Sequence, residues 1–224
     1  MFGELDSYTI AQFIPFTREV YFRLFERLNE AVWPWQLVLL AVLAAVPVLI
    51  RRDLGLLAGP VLALSWIWVA TWFHFRLYAE LNWAAGYLGW LFLIQAGLIL
   101  VAGVRGRLSW GGGLRACIGT GLFGFAVAVL PLLGPLFGRS WAGMEVAGTA
   151  PDPTAVATLG ILLLPARVPW LLVPAPIIWC AYSAASFWAL GWLPGLVLIA
   201  AVVLFALSCL TPAGSSGSAP GSRA

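Results

Sequence analysis

The feature that most constrains this chain is a succession of apolar runs, most of them long enough to cross a lipid bilayer. They cover residues 33–50, 54–75, 84–104, 114–137, 170–190 and 193–210. A spanning helix needs about 20 apolar residues, because the hydrocarbon core is about 30 Å thick and a helix rises about 1.5 Å per residue. Since only 9% of the residues are charged, the chain cannot cover itself with polar surface. We predict an all-α, polytopic transmembrane helix bundle.

The stretch from Pro131 to Gly160 is the longest interruption of this pattern. Asp152 and Pro153 are typical of an N-cap followed by proline at the first helical position. The apolar run that follows, from Thr154 to Leu164, is too short to span by itself. Either it continues with a kink to Trp170, or it is a half-helix buried among the others. We therefore expect about seven spans, or six if this segment is a half-helix.

Residues 1–31 form an N-terminal segment that contains an amphipathic interfacial helix from Thr17 to Ala31. Thr17 can cap this helix, and Glu19 lies in its first turn, where a carboxylate favours the helix dipole. The helix serves either as a plain anchor for the first span or as a lid or docking element. Residues 32–210 form the transmembrane bundle, and residues 211–224 form a flexible polar tail.

Arginines are distributed unevenly between the two faces that seven spans would create. The richer face carries Arg51, Arg52, Arg105, Arg107, Arg115, Arg167 and Arg223. The positive-inside rule makes this face cytoplasmic. The N-terminus then lies outside and the C-terminus inside, although everything after the fifth segment inverts if that segment does not span.

Eight of the nine acidic residues fall on the outer face in this topology. The single histidine, His74, ends the second span on the same side. We expect the polar groups there to converge on an outward-facing vestibule, unless they are simply solvated loop residues. The candidate vestibule residues are His74, Arg76, Glu80, Asn82, Glu145, Asp152, Thr154 and Thr158. The two threonines lie one turn apart at the start of the short helix, whose free N–H groups attract anions.

Several chemistries are excluded by what the sequence lacks. One histidine and no metal-ligand spacing argue against haem or zinc catalysis, so we expect no cofactor and no metal. There is no GxSxG motif, and no nucleophile has an evident base, which argues against an enzyme. A net charge of +3 is too small to indicate a nucleic-acid partner.

Glycines at four-residue spacing favour close helix–helix approach. Such pairs are Gly55 with Gly59, Gly134 with Gly138 and Gly191 with Gly195, and Gly119 acts similarly in the fourth span.

Two functions fit these features. The first is movement or sensing of a small solute or ion through the vestibule. The alternative is a non-catalytic accessory or assembly subunit of a membrane complex, docked through the amphipathic helix and the glycine faces. The expected partners are the lipid bilayer, a small solute or ion, and a membrane-protein partner or second copy of the chain.

Three blocks of the sequence resemble a bacterial multi-pass membrane family, the domain of unknown function 6064. They are PFTREVYFRLFERLNEAVWP from Pro15, WFHFRLYAELNWAA from Trp72, and PLLGPLFG followed by PDPTAVATLG. Arg139 and Asp152 stand where members of that family tend to carry a histidine and a cysteine. The resemblance implies a polytopic fold in the bacterial plasma membrane, and it implies no activity.

Overall fold

The computed structural model describes residues 15–211, and these form helices joined by short connections, with no strand among them. The predictions for residues 1–14 and 212–224 lie outside the described residues. The helices are α1 Arg18–Val32, α2 Trp35–Ala44, α3 Val46–Arg51, α4 Gly55–Trp68, α5 Ala85–Val104, α6 Gly113–Gly124, α7 Leu130–Leu136, α8 Pro151–Leu162, α9 Pro174–Ala189 and α10 Val197–Cys209. Two π-helical segments extend them: Val69–Leu77 follows α4, and Phe125–Val129 joins α6 to α7.

Four continuous helical stretches are long and apolar enough to cross a membrane: Gly55–Glu80, Ala85–Val104, Gly113–Leu136 and Trp170–Ala189. A fifth candidate is the bent pair Arg18–Val32 and Trp35–Arg51, whose two parts meet at 96°. The all-helical membrane-type fold is therefore as predicted, but the seven spans are not confirmed. The last apolar helical stretch, Leu193–Cys209, is shorter than these.

The amphipathic helix predicted near the N-terminus is α1. The Thr17 side chain accepts a hydrogen bond from the Val20 N–H, which confirms the predicted cap. The sharp bend after α1 lays its apolar face across one end of the bundle. There the ring of Phe25 stacks on Phe73 at 5.3 Å, and Tyr21 meets Tyr78 at 5.7 Å. We refer to this end of the bundle as the α1 end.

The helices α4 and α5 run antiparallel in close contact, as the glycine spacing predicts. A Cβ added to Gly59 would lie 3.0 Å from the Gly103 Cα, so the two backbones touch. At the end away from α1, a Cβ on Gly55 would meet the Leu108 carbonyl. Nearer the α1 end, the rings of Trp66 and Phe92 lie 4.3 Å apart. These contacts show that the start of α4 lies beside the end of α5, at the end of the bundle away from α1.

The short helix α8 is enclosed by the rest of the bundle. All of its twelve residues are buried, and at about 1.5 Å per residue they cover only about 18 Å. The half-helix alternative is therefore the correct one. The helix runs antiparallel to α6, because Gly160 lies against Gly119 and the Gly111 N–H donates to the Leu164 carbonyl at 2.7 Å.

After one 3₁₀ turn at Trp141–Gly143, the chain before α8 enters the bundle from the α1 end without forming an α-helix. The Asn29 amide on α1 donates to the carbonyls of Ala142 and Met144 at 2.6 and 2.8 Å. Beyond the helix, Arg115 donates to the Pro165 carbonyl at the opposite end. Residues 143–164 thus run through the bundle from one end to the other, first as irregular chain and then as α8. The half-helix therefore crosses together with the irregular chain before it, and the direction of the chain after α8 is not inverted.

The predicted N-cap role of Asp152 is wrong. The helix α8 starts at Pro151 with Ala150 as its N-cap, and no side chain caps it. The reason is that the irregular chain bends at Gly148, whose φ is +88°, and helical geometry is already established at Pro151. Asp152 then lies within the first turn, and its carboxyl group points toward α9 instead of the helix axis.

Substitution of Gly160 with alanine tests the enclosed position of α8. A Cβ there would lie 2.7 Å from both the Gly119 carbonyl oxygen and the Phe123 nitrogen. We expect Gly160→Ala to lower the free energy of unfolding in detergent by about 1–3 kcal/mol through overpacking. Gly97→Ala is the matched control, since nothing lies within 4 Å of its added Cβ. Equal thermal stability of the two variants would contradict this packing.

Candidate functional site

An open groove lies between α1 and the chain that follows α7. Its volume is about 640 Å³. It is lined by Arg18, Glu19, Val20, Phe22, Arg23, Glu26, Phe137, Gly138, Arg139, Ser140, Gly143 and Trp192. The groove exists because the bend after α1 holds that helix across the end of the bundle.

The charges on the α1 side of the groove balance one another. Arg18 pairs with Glu19 at 3.4 Å, and Arg23 pairs with Glu26 at 3.5 Å. The free backbone N–H at the start of α1 and the Thr17 hydroxyl lower the pKa of Glu19 below its usual value. These exposed pairs contribute little stability, and they leave the mouth of the groove close to neutral.

A buried ion pair forms the floor of the groove. The Arg139 guanidinium donates to the Glu145 carboxylate at 2.5 Å and to the Gly143 carbonyl at 2.8 Å. Both side chains are buried, with exposed fractions of 6% and 7%. The same guanidinium lies 3.9 Å from the centroid of the Phe22 ring, so α1 contributes a cation–π contact. Gly138, with φ of +88°, allows the turn that brings Arg139 back under α1.

A second, narrow cavity lies beneath this ion pair. Its volume is about 30 Å³, which is enough for one water molecule. It is lined by Leu130, Leu133, Gly134, Arg139, Glu145, Asp152, Phe187, Trp192, Pro194, Gly195, Val197 and Leu198. Arg139 and Trp192 line both spaces, so the groove and the narrow cavity adjoin at these two residues.

Asp152 is held by two donors from α9. Its Oδ1 accepts from the Trp179 indole N–H at 2.7 Å, and its Oδ2 accepts from the Ser183 hydroxyl at 3.0 Å. The residue is 1% exposed. Among residues 15–211, no Arg or His side chain forms a salt bridge with it. A carboxyl group therefore sits in the core beside α9 with polar but uncharged donors.

Thr154 and Thr158 hold the irregular chain and α8 in place. The Thr154 hydroxyl accepts from the Gly148 N–H at 2.9 Å and donates to the Ala150 carbonyl at 2.6 Å. The Thr158 hydroxyl accepts from the Trp66 indole at 2.9 Å. Both side chains are fully buried. The structure thus places them in the framework around the site, on neither the groove nor the narrow cavity.

The other predicted vestibule residues lie apart from the groove. His74 is fully buried on the π-helical segment, between the rings of Phe92 at 4.5 Å and Trp179 at 4.9 Å. Neither of its ring nitrogens has a hydrogen-bond partner among residues 15–211. Trp179 contacts both this ring and Asp152, so it joins His74 to the site.

Arg76, Glu80 and Asn82 belong to the surface near the end of the α4 helical stretch. Glu80 pairs with Arg27 of α1 at 2.7 Å, and Arg76 lies over the Trp72 ring at 4.5 Å. The Asn82 amide donates to the hydroxyls of Tyr78 and Tyr182. Of the eight predicted residues, the structure therefore brings only Glu145 and Asp152 to one cavity.

Sequence reasoning missed three members of the site. The sequence marks Arg139 only as a departure from the family pattern, and nothing local to it indicates the ion pair with Glu145. Trp179 and Trp192 carry no local signal that distinguishes them from the other tryptophans, of which the chain has 13 in total. Within the described part of the chain, no group of three His, Cys, Asp or Glu side chains is placed to hold a metal ion.

Removal of the Ser183 hydroxyl tests the support of Asp152. Ser183→Ala leaves one carboxyl oxygen without its donor, so we expect the free energy of unfolding to fall by about 1–3 kcal/mol. Ser186→Ala is the matched control on the same helix, because Ser186 donates only to the Tyr182 carbonyl one turn away. Chemical denaturation in mild detergent measures both. Indistinguishable variants would show that Ser183 does not support the carboxyl group.

Comparison with known proteins places the chain in a family. A search of curated proteins and a search of solved structures each found no match. A family model described as "Family of unknown function (DUF6064)" matches residues 18–213. That match begins with α1 and extends past the end of α10, so it includes the groove, the buried ion pair and Asp152. The chain therefore belongs to the DUF6064 family.

Proposed function

We propose that the protein moves or senses a small solute or ion across a membrane, and that the groove beside α1 is where the solute enters. The observation that carries this proposal is that the open groove and the narrow cavity adjoin, with Arg139 and Trp192 lining both. A solute that enters the open groove meets the Arg139–Glu145 pair first and Asp152 behind it. The site therefore comprises Arg139, Glu145 and Asp152, and it replaces the wider vestibule expected from the sequence.

The interrupted backbone supports transport over a purely structural role. Non-helical backbone is tolerated at membrane depth only where protein or a water-filled cavity surrounds it. Discontinuous helices of this kind recur at the binding sites of secondary transporters. Here the break at residues 143–150 leads directly into the helix turn that carries Asp152. The π-helical segment Phe125–Val129 packs beside α8, and such segments are frequent at functional sites.

The proposed setting is the bacterial plasma membrane, with the groove facing outward and the C-terminus in the cytoplasm. The arginines of the richer face support this orientation. Arg51 lies over Trp110, and Arg115 donates to the carbonyls of Pro165 and Ala166. These residues lie at the end of the bundle opposite α1, where the positive-inside rule expects the cytoplasm.

The buried ion pair is the barrier in this proposal. Arg139 must separate from Glu145 for a solute to pass, and both groups would then need new partners because each is buried. A solute that carries charge or hydrogen-bonding groups supplies such partners, whereas an apolar molecule does not. The site therefore favours small polar or charged solutes over apolar ones.

Electrophysiology on a solid-supported membrane tests this function. Proteoliposomes with the full chain are exposed to jumps of sodium, ammonium, chloride, acetate, glycine or betaine. We expect a transient current with at least one of these probes, and we expect Asp152→Asn to reduce it to the level of empty liposomes. Glu80→Gln is the control, because Glu80 forms only an exposed pair with Arg27 and should leave the current unchanged. Absence of current with all probes, or an unaffected Asp152→Asn variant, would contradict the proposal.

One surface favours the alternative, an accessory role without transport. An apolar groove of about 540 Å³ runs between α6 and α10 on the side of the bundle. Gly121 lines it, and nothing lies within 4 Å of a Cβ placed there. A helix of another membrane protein could approach closely along such a surface.

Native purification distinguishes the alternative from transport. If the protein is an accessory subunit, extraction in mild detergent should recover a stoichiometric partner, and Gly121→Leu should release that partner by filling the groove. Gly97→Leu is the control, because Gly97 is also open but lies on α5. Purification of the chain without a partner, together with currents in liposomes, would rule out the accessory role.

A further inference from the structure

The charges around the narrow cavity do not balance. Two carboxyl groups, Glu145 and Asp152, line it together with one guanidinium, that of Arg139. Glu145 pairs with the guanidinium. Asp152 accepts hydrogen bonds from the indole and hydroxyl donors of α9, and its carboxyl group lies within hydrogen-bonding reach of the Glu145 carboxyl. A buried carboxylate without a cation is costly, and a bound proton removes that cost.

Within residues 15–211, no other group near Asp152 supplies the missing positive charge. The titratable and charged groups around it are Tyr21 of α1, Tyr78 after the π-helical segment, Cys180 of α9, and Glu145 and Arg139 of the cavity. Two of these are hydroxyls and one is a thiol, all of which are neutral in a buried setting. His74 is separated from the carboxyl group by the Trp179 ring, since that ring contacts both.

The surroundings suit a proton better than a metal cation. Sodium, calcium or magnesium would need about six oxygen ligands around it. Apart from its two carboxyl groups and Arg139, the cavity is lined by apolar side chains, glycines, a proline and Trp192, and it has room for about one water molecule. Both Asp152 oxygens already accept hydrogen bonds.

We infer that Asp152 is a proton-binding site and that the proton reaches it from the groove through the narrow cavity. This rests on the proposed function, because it makes the solute movement coupled to protons. On release, the proton passes from an Asp152 oxygen through the cavity, which has room for about one water molecule to carry it, to the groove, and Asp152 becomes a carboxylate. Arg139 lines the same cavity, so its charge is then drawn from Glu145 toward Asp152. Loss of the proton thus loosens the pair that Arg139 forms where the cavity adjoins the groove.

Infrared spectroscopy of the reconstituted full-length protein tests the site without any ligand. A protonated carboxylic acid gives a carbonyl band distinct from that of a carboxylate. We expect this band at neutral pH, and we expect it to disappear only at alkaline pH. The chain has three aspartates, Asp6, Asp53 and Asp152. Labelling aspartate with ¹³C at the side-chain carboxyl should shift the band in the unmutated protein, and Asp152→Asn should remove it.

Two further variants test the role of the cavity. Asp53→Asn should leave the band unchanged, because Asp53 is exposed. Glu145→Gln should lower the pH at which the band disappears, because Arg139 then becomes free to stabilise the Asp152 carboxylate. The inference is overturned if no protonated band exists at neutral pH, if the aspartate label does not shift it, or if it survives Asp152→Asn.

These results are separable from those of the transport assay. A band assigned to Asp152 without any probe current would leave the proton site intact and refute transport. Probe currents without the band would leave transport intact and refute the proton site.

Discussion

The structure depends on the hydrogen-bond partners that the backbone N–H and C=O groups of an irregular segment find inside an apolar bundle. Lipid offers no hydrogen bonds, so each peptide group of residues 143–150 that lies deep in the bundle needs a partner within the protein. The Asn29 amide donates to carbonyls at the start of this segment, and the Thr154 hydroxyl accepts from the Gly148 N–H near its end. Arg139 binds the Gly143 carbonyl with the same guanidinium that holds Glu145. Arg139 of the site therefore also holds in place the irregular segment that positions Glu145 and Asp152.

Aromatic packing makes this arrangement rigid at the α1 end. Tyr21 contacts the rings of Phe25, Tyr78 and Phe187 within 6 Å. These contacts fix α1 against the helices beneath it, and α1 in turn provides the Phe22 ring against which Arg139 rests. The amphipathic helix is therefore more than an anchor for the first apolar run. It forms one wall of the groove and part of the surroundings of the buried ion pair.

The sequence predicted the helical class, the amphipathic helix with its Thr17 cap, and a close helix approach at Gly55 and Gly59, but not that α5 is the partner helix. Those features follow from local periodicity and spacing, which are readable without tertiary structure. The sequence also indicated that the run after Asp152 was too short to span, but it left the alternatives open. The choice depends on burial from all sides, and an apolar run looks the same whether lipid or protein surrounds it.

The site was predicted only in part, for a related reason. Glu145 and Asp152 were included because they are acidic residues on one side of the predicted topology. Their partners were not, since the pairing with Arg139 and Ser183 depends on how the irregular segment folds into the bundle. His74 and Glu80 were included because of their position along the chain. A π-helical turn directs His74 into an aromatic core, whereas Glu80 faces Arg27 on the surface.

The complete burial of α8 also has a consequence for biogenesis. Every residue of this helix contacts protein, and two of its neighbours, α9 and α10, are synthesised after it. When α8 leaves the ribosome, the part of its surroundings that α9 and α10 provide does not yet exist, and its Asp152 carboxyl lacks the Trp179 and Ser183 donors. The helix α8 can therefore reach its fully buried position only after α9 and α10 have been synthesised and inserted. Folding of this protein is therefore completed when its last two helices pack against α8.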